Sequence, residues 1–261
     1  MQRKDLLIKR MNDLGYHLSK RIHTIALMGL GSIGVERDRL DDYSDLDFFL
    51  IVENGFKNQY IDHLDWLEET YPLGYQFKNS KDGYKIMFKD GIYGEFAVFD
   101  LCEVPNLYQS EGKIIWQRAD YDTSLLTQSK GPKPTIYKKD MNFALNEALT
   151  NIYVGLCRVR RGEILSGYRF IETFAFNNIL SILHHFEEKK AIFEDDYNIE
   201  RRFEVHYPLF SDTLKNFLQG YERLEKSAFH IFMFLKKHMD VPKVLEDEIL
   251  RLINEIEATK I

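Results

Sequence analysis

Residues 25–52 hold the pattern that most restricts how this chain can fold. A short apolar run, Ile25 to Met28, is followed by Gly29-Leu-Gly31-Ser32, a polar loop, and then Ser44-Asp45-Leu46-Asp47-Phe48-Phe49-Leu50-Ile51-Val52. β-branched and aromatic residues with period two read as a strand. In a strand, side chains alternate between faces, so Asp45 and Asp47 project the same way, about 7 Å apart. Leu46, Phe48, Leu50 and Val52 take the other face and point into a core. Two like charges at the mouth of an apolar strand repel each other. A divalent cation between them explains the pair best, because hard cations take carboxylate oxygens.

The glycine-serine turn has a matching chemistry. Gly31 lets backbone amides approach a phosphate, and the Ser32 hydroxyl adds a donor. Gly29-Leu-Gly31-Ser-Ile-Gly34 also spells a dinucleotide fingerprint, but that motif must open a helix with an apolar face on the sheet. Val35-Glu-Arg-Asp-Arg-Leu-Asp-Asp-Tyr-Ser44 has almost no apolar periodicity, so the fingerprint is set aside.

Gly-Ser followed by Asp-apolar-Asp between two apolar strands resembles the signature of the nucleotidyltransferase superfamily typified by DNA polymerase β. Within it the chain looks most like the small antibiotic nucleotidyltransferases that modify lincosamides and aminoglycosides. The specific match spans about residues 25 to 100. The resemblance implies an α+β fold: a nucleotidyltransferase domain with a mixed sheet flanked by helices, then a C-terminal helical bundle. It implies that Asp45 and Asp47 ligate two magnesium ions and that Gly31 and Ser32 contact the triphosphate of a nucleotide, ATP above all. Where many members carry arginine after the serine this chain has Ile33, which leaves Arg37, Arg39 or Lys138 to supply the cation.

A third carboxylate is expected from a neighbouring strand. Tyr93-Gly-Glu95-Phe-Ala-Val-Phe-Asp100 offers two of opposite parity, so only one can face the metals. Gly94-Glu95-Phe96 resembles the corresponding segment of the lincosamide enzymes, which selects Glu95 as ligand, general base or both. Asp100 is the reserve.

The rest of the chain reads as follows. Residues 4–19 form an amphipathic helix, 24–28 and 46–52 strands, 58–71 a helix, 84–88 and 94–102 strands around Lys89-Asp-Gly91, and 112–117 a last short strand. Gly131, Pro132 and Pro134 mark a boundary between a catalytic domain, 1–130, and a helical domain, 131–261. In the second, helices are expected over 140–161, 168–190, 210–238 and 243–258, packed as an antiparallel bundle. The resemblance gives that domain the acceptor, with Glu147 or Glu163 as a base.

A formal net charge of -6 without a basic run argues against gripping a long polynucleotide. Two cysteines, Cys102 and Cys157, are too few for a disulfide framework or a zinc site. No apolar run is long enough to cross a bilayer, so a soluble, reducing, cytoplasmic setting is expected. The reading is a magnesium-dependent transfer of AMP from ATP to a hydroxyl of a small molecule, an antibiotic such as a lincosamide or aminoglycoside. Its alternatives are a protein or RNA acceptor, or a silent nucleotide-binding module. The resemblance leaves a homodimer open.

Overall fold

The structure, a computed structural model, describes residues 2–106, 112–121, 126, 139–190 and 198–259. The chain divides into two compact units, Met1–Lys133 and Pro134–Ile261.

The first unit is a six-stranded mixed sheet with helices on it. In chain order it runs α1 (Arg3–Leu18), β1 (Thr24–Gly29), β2 (Leu46–Val52), α2 (Lys57–Asp62), α3 (Asp65–Glu68), β3 (Leu73–Lys78), β4 (Gly83–Phe88), β5 (Tyr93–Asp100) and β6 (Lys113–Gln117). Across the sheet the order is β3-β4-β5-β2-β1-β6. Only β2 and β5 pair in parallel; their neighbours pair antiparallel. A parallel pair needs a crossover, and α2, α3 and the β3-β4 hairpin supply it.

Each face of the sheet has its own core. Leu46, Phe48, Leu50 and Val52 join Phe96 and Val98 of β5, Leu7, Met11, Leu14 and Leu18 of α1, and Trp66 of α3. The apolar stripe expected of the first helix is therefore the one that is buried. On the other face a smaller cluster forms around Met28, Ile51, Phe99 and Val104.

In the first unit the structure differs from the expected elements in three places. The helix expected over 58–71 is broken in two, because His63 is extended (φ -131°, ψ 120°). The buried Trp66 indole N–H donates to the Tyr60 carbonyl at 3.1 Å, taking the acceptor that a continuous helix would have used for Leu64. Strand β3 was not expected at all: it is an edge strand exposed along most of its length, so no buried alternation betrays it. The strand expected to reach Cys102 ends at Asp100 and tightens into a 3-10 turn, Leu101–Asn106.

The second unit is helical. It comprises α4 (Met141–Arg160), α5 (Ile164–Tyr168), a π-helical stretch Arg169–Ala175 leading into α6 (Phe176–Ile182), then α7 (Phe203–His206), α8 (Pro208–Phe217), α9 (Leu224–His238) and α10 (Lys243–Ala258). Ala148, Ile152, Ile179, Ile231, Phe232 and Ile249 lie in its single core. The helix expected over 210–238 is two helices. Gly220 sits between them at φ +87°, and the buried Glu172 carboxylate accepts from the Gly220 amide (2.9 Å) and the Ser227 hydroxyl (2.7 Å). A glycine turn fastened by a carboxylate of the π-helical stretch thus replaces the expected continuity. The helix expected over 168–190 passes from π-helical to α-helical geometry and closes on a 3-10 turn, Leu183–His185.

Candidate functional site

The parallel pairing of β2 with β5 sets Asp47 directly opposite Glu95, with Leu46 opposite Gly94 one step before. Register partners in neighbouring strands point their side chains to the same face. Asp45 lies just before β2, and its charge acts with those of Asp47 and Glu95 on the Tyr93 hydroxyl. A Cβ on Gly94 would lie 2.8 Å from the Leu46 carbonyl oxygen and 3.1 Å from the Leu46 Cβ, so only glycine allows the two strands this approach. The approach to Asp45 is shaped by a local turn, in which the Asp41 carboxylate accepts from the Tyr43 amide at 2.8 Å and the Ser44 hydroxyl at 3.1 Å.

Three further groups surround these carboxylates. Asn79 donates to Glu95 Oε1 at 2.6 Å, and Lys85 Nζ stands 3.7 Å from Glu95 Oε2. Lys85 is the register partner of Glu95 on β4, so one row runs Lys85, Glu95, Asp47 across three strands. Tyr93 lies two residues before Glu95 on the same face. Burial pushes its phenol above the ordinary value of 10.0; Lys85 opposes this, and the charges of Glu95, Asp45 and Asp47 add to it. One hydroxyl therefore feels all three acidic groups. Tyr93, Lys85 and Asn79 are absent from the sequence reading. Parity could have found Tyr93, whereas Lys85 and Asn79 become neighbours only through strand pairing.

The Gly-Ser turn is tied to the carboxylate strand, since the Leu30 amide donates to the Asp47 carbonyl at 2.8 Å. Gly31 adopts φ +52°. Its carbonyl accepts from the Gly34 amide (3.0 Å) and the Glu36 amide (3.1 Å), while the amides of Gly31 and Ser32 donate to no acceptor among the described residues. Two successive unpaired amides beside a left-handed glycine make an anion-binding concavity. The Arg39 side chain leans over it: a Cβ on Gly31 would lie 2.7 Å from an Arg39 terminal nitrogen. Arg39 is held in turn by Glu36. Of the three cations considered for this role, Arg39 is against the turn and Lys138 lies outside the described residues. Ser32 itself is 4% exposed. After Gly34 the chain makes only a three-residue 3-10 turn, Arg37–Arg39, and no helix packs there as a dinucleotide site requires.

Asp100 lies at the far end of β5, opposite Val52. Its carboxylate accepts from the Lys57 amide at 3.1 Å, at the start of α2, which is a structural task. In the second unit Glu147 is exposed on α4, and Glu163 pairs with Arg158 at 2.7 Å.

Asp45, Asp47 and Glu95 offer hard carboxylate oxygens of the kind that suits magnesium, and Asp47 and Glu95 lie side by side on adjacent strands. Among the described residues no three His, Cys, Asp or Glu side chains are already gathered around one point. Glu95 is turned toward Asn79 and Lys85, so ligation by all three needs that side chain to swing.

No family model matches the chain, and no curated protein matches it. Solved structures are similar to it at a distance. An aminoglycoside 6-adenyltransferase from Bacillus subtilis is 14% identical with a TM-score of 0.35, over 95% of this chain and 97% of that one. A nucleotidyltransferase-like protein from Exiguobacterium sibiricum is 14% identical with a TM-score of 0.31, over 85% and 71%. A CCA-adding enzyme from Thermotoga maritima is 13% identical with a TM-score of 0.36, over 99% and 74%. The chain is thus similar to solved nucleotidyltransferases, at a remove where the likeness carries no argument and the residues of the site must carry it.

Proposed function

We propose that this protein transfers a nucleoside monophosphate, AMP from ATP, to a hydroxyl of a small molecule of the antibiotic kind. The observation that carries the reading is the register of Asp47 with Glu95, joined through Leu30 to a turn with two unpaired amides.

In this reading the amides of Gly31 and Ser32 hold phosphate oxygens, and Arg39 closes over them as a fixed positive charge. Asp45, Asp47 and Glu95 hold magnesium. When bound, two ions neutralise the charge gathering on the phosphates and lower the pKa of the attacking hydroxyl. In this reading Glu95, once swung from Asn79 and Lys85, also takes the proton of that hydroxyl.

The experiment is a pyrophosphate-release assay on the full chain, with a panel of nucleoside triphosphates and hydroxylated drugs in the presence and absence of magnesium. Magnesium-dependent release that requires an acceptor is the expected outcome. Tight ATP binding with no release from any acceptor would reject the transferase reading in favour of a nucleotide-binding module.

A further inference from the structure

The face of the sheet that carries the carboxylates does not stop at them. Two cross-strand rows continue outward over β4 to the edge strand β3. One row runs Asp47, Glu95, Lys85, Phe77; the other places Tyr93, Met87 and Tyr75 side by side. The outer members are large, apolar and open to solvent: Tyr75 is 54% exposed, Phe77 53% and Met87 39%. On β4 the opposite-face neighbours of Met87, Ile86 and Phe88, are buried in the core, whereas β3 is exposed along most of its length. Strand spacing puts Phe77 about 10 Å from Glu95, the span of a two- or three-ring molecule. Adjacent exposed aromatics and methionine at the margin of a polar site are a binding surface by composition.

Their position in the sheet says which substrate they meet. Displacement at phosphorus runs in line, with the attacking oxygen opposite the departing one. The Gly31–Ser32 turn leaves β1, on one side of β2, whereas β5, β4 and β3 lie on the other. With the phosphates at the turn, the hydroxyl enters over β5, and the body of its molecule extends over β4 and β3. Lys85 stands in the middle of that path, 42% exposed.

We infer that Tyr75, Phe77 and Met87 form the acceptor subsite, and that it takes a hydroxylated molecule with a planar or apolar ring system. This inference rests on the transferase reading, and its test separates the two. The probes are 2-naphthyl glucoside, methyl glucoside and glucosamine, titrated into the full chain by calorimetry and by NMR of the Met87 methyl. MgATP is titrated separately. The variant is Tyr75→Thr with Phe77→Thr, which keeps β-propensity on an exposed edge strand. Naphthyl glucoside should bind better than the other two, shift the Met87 signal, and weaken by about tenfold or more in the variant. MgATP affinity should be the same in both proteins. Equal binding of naphthyl and methyl glucoside, or naphthyl binding untouched by the variant, would overturn the subsite. A dimer that the variant dissolves would assign the face to a second copy of the chain instead. Failure of the wild type to bind MgATP strikes the transferase reading and leaves the ring-binding result to stand or fall by itself.

Discussion

Asp47 and Glu95 face each other as register partners across the one parallel pair of the sheet. Two carboxylates in that relation repel, by an amount that a hydrophobic sheet has no reason to accept. Asn79 and Lys85 lie against Glu95, and in the proposed reading the pair holds magnesium, so the first consequence concerns its removal.

Asp47→Asn keeps the shape and deletes the charge. Nucleotidyl transfer should fall by at least about 100-fold, a larger loss than any accompanying change in thermal midpoint explains. Pyrophosphate release and a circular-dichroism melt on the same sample check both. Undiminished transfer by the variant would remove Asp47 from the mechanism.

Gly94→Ala tests the strand approach that creates the pair. The new methyl would meet the Leu46 carbonyl oxygen at 2.8 Å, and that oxygen belongs to backbone and cannot step aside. A loss of about 1–3 kcal/mol is expected from urea unfolding. Transfer should fall further than stability alone accounts for, since Glu95 moves relative to Asp47.

Gly31→Ala probes the phosphate turn. A side chain at φ +52° costs about 1–2 kcal/mol, and the added carbon would displace the Arg39 guanidinium. The KM for the nucleoside triphosphate should rise by about tenfold or more with the KM for the acceptor held. A rise in the acceptor KM alone would place the turn in the wrong subsite.

Tyr93 gives a pH dependence with a definite sign. Its phenol is held above 10.0 by burial first and by Glu95, Asp45 and Asp47 beyond that, so the fold favours the neutral form. The associated stability is complete below 10.0 and is lost as pH rises through the folded value. Tyrosinate absorbance of Tyr93→Phe subtracted from that of the wild type reports this step. In the Asp47→Asn background the step should move to lower pH, because one raising charge is gone.

Trp66→Phe tests the break between α2 and α3. The indole is fully buried and donates to the Tyr60 carbonyl. Losing the donor and filling the space incompletely should cost about 2–3 kcal/mol, read from urea unfolding.

The sequence alone determined what depends on short range. The alternation in Leu46–Val52 told which face of β2 is core and put Asp47 on the other. The apolar spacing of α1 told which side of that helix is buried. The opposite parity of Glu95 and Asp100 was also legible, but not which of them is needed elsewhere. Only the tertiary structure occupied Asp100 with the Lys57 amide, brought Lys85 and Asn79 to Glu95, and broke two expected helices at Trp66 and at Gly220. Strand parity and helical period are properties of a single segment and survive in its residue order. Which strands lie side by side, and in what register, is decided by cores and hydrogen bonds between segments far apart in the chain. That pairing put Asp47 beside Glu95 and carried the open aromatic row out to β3.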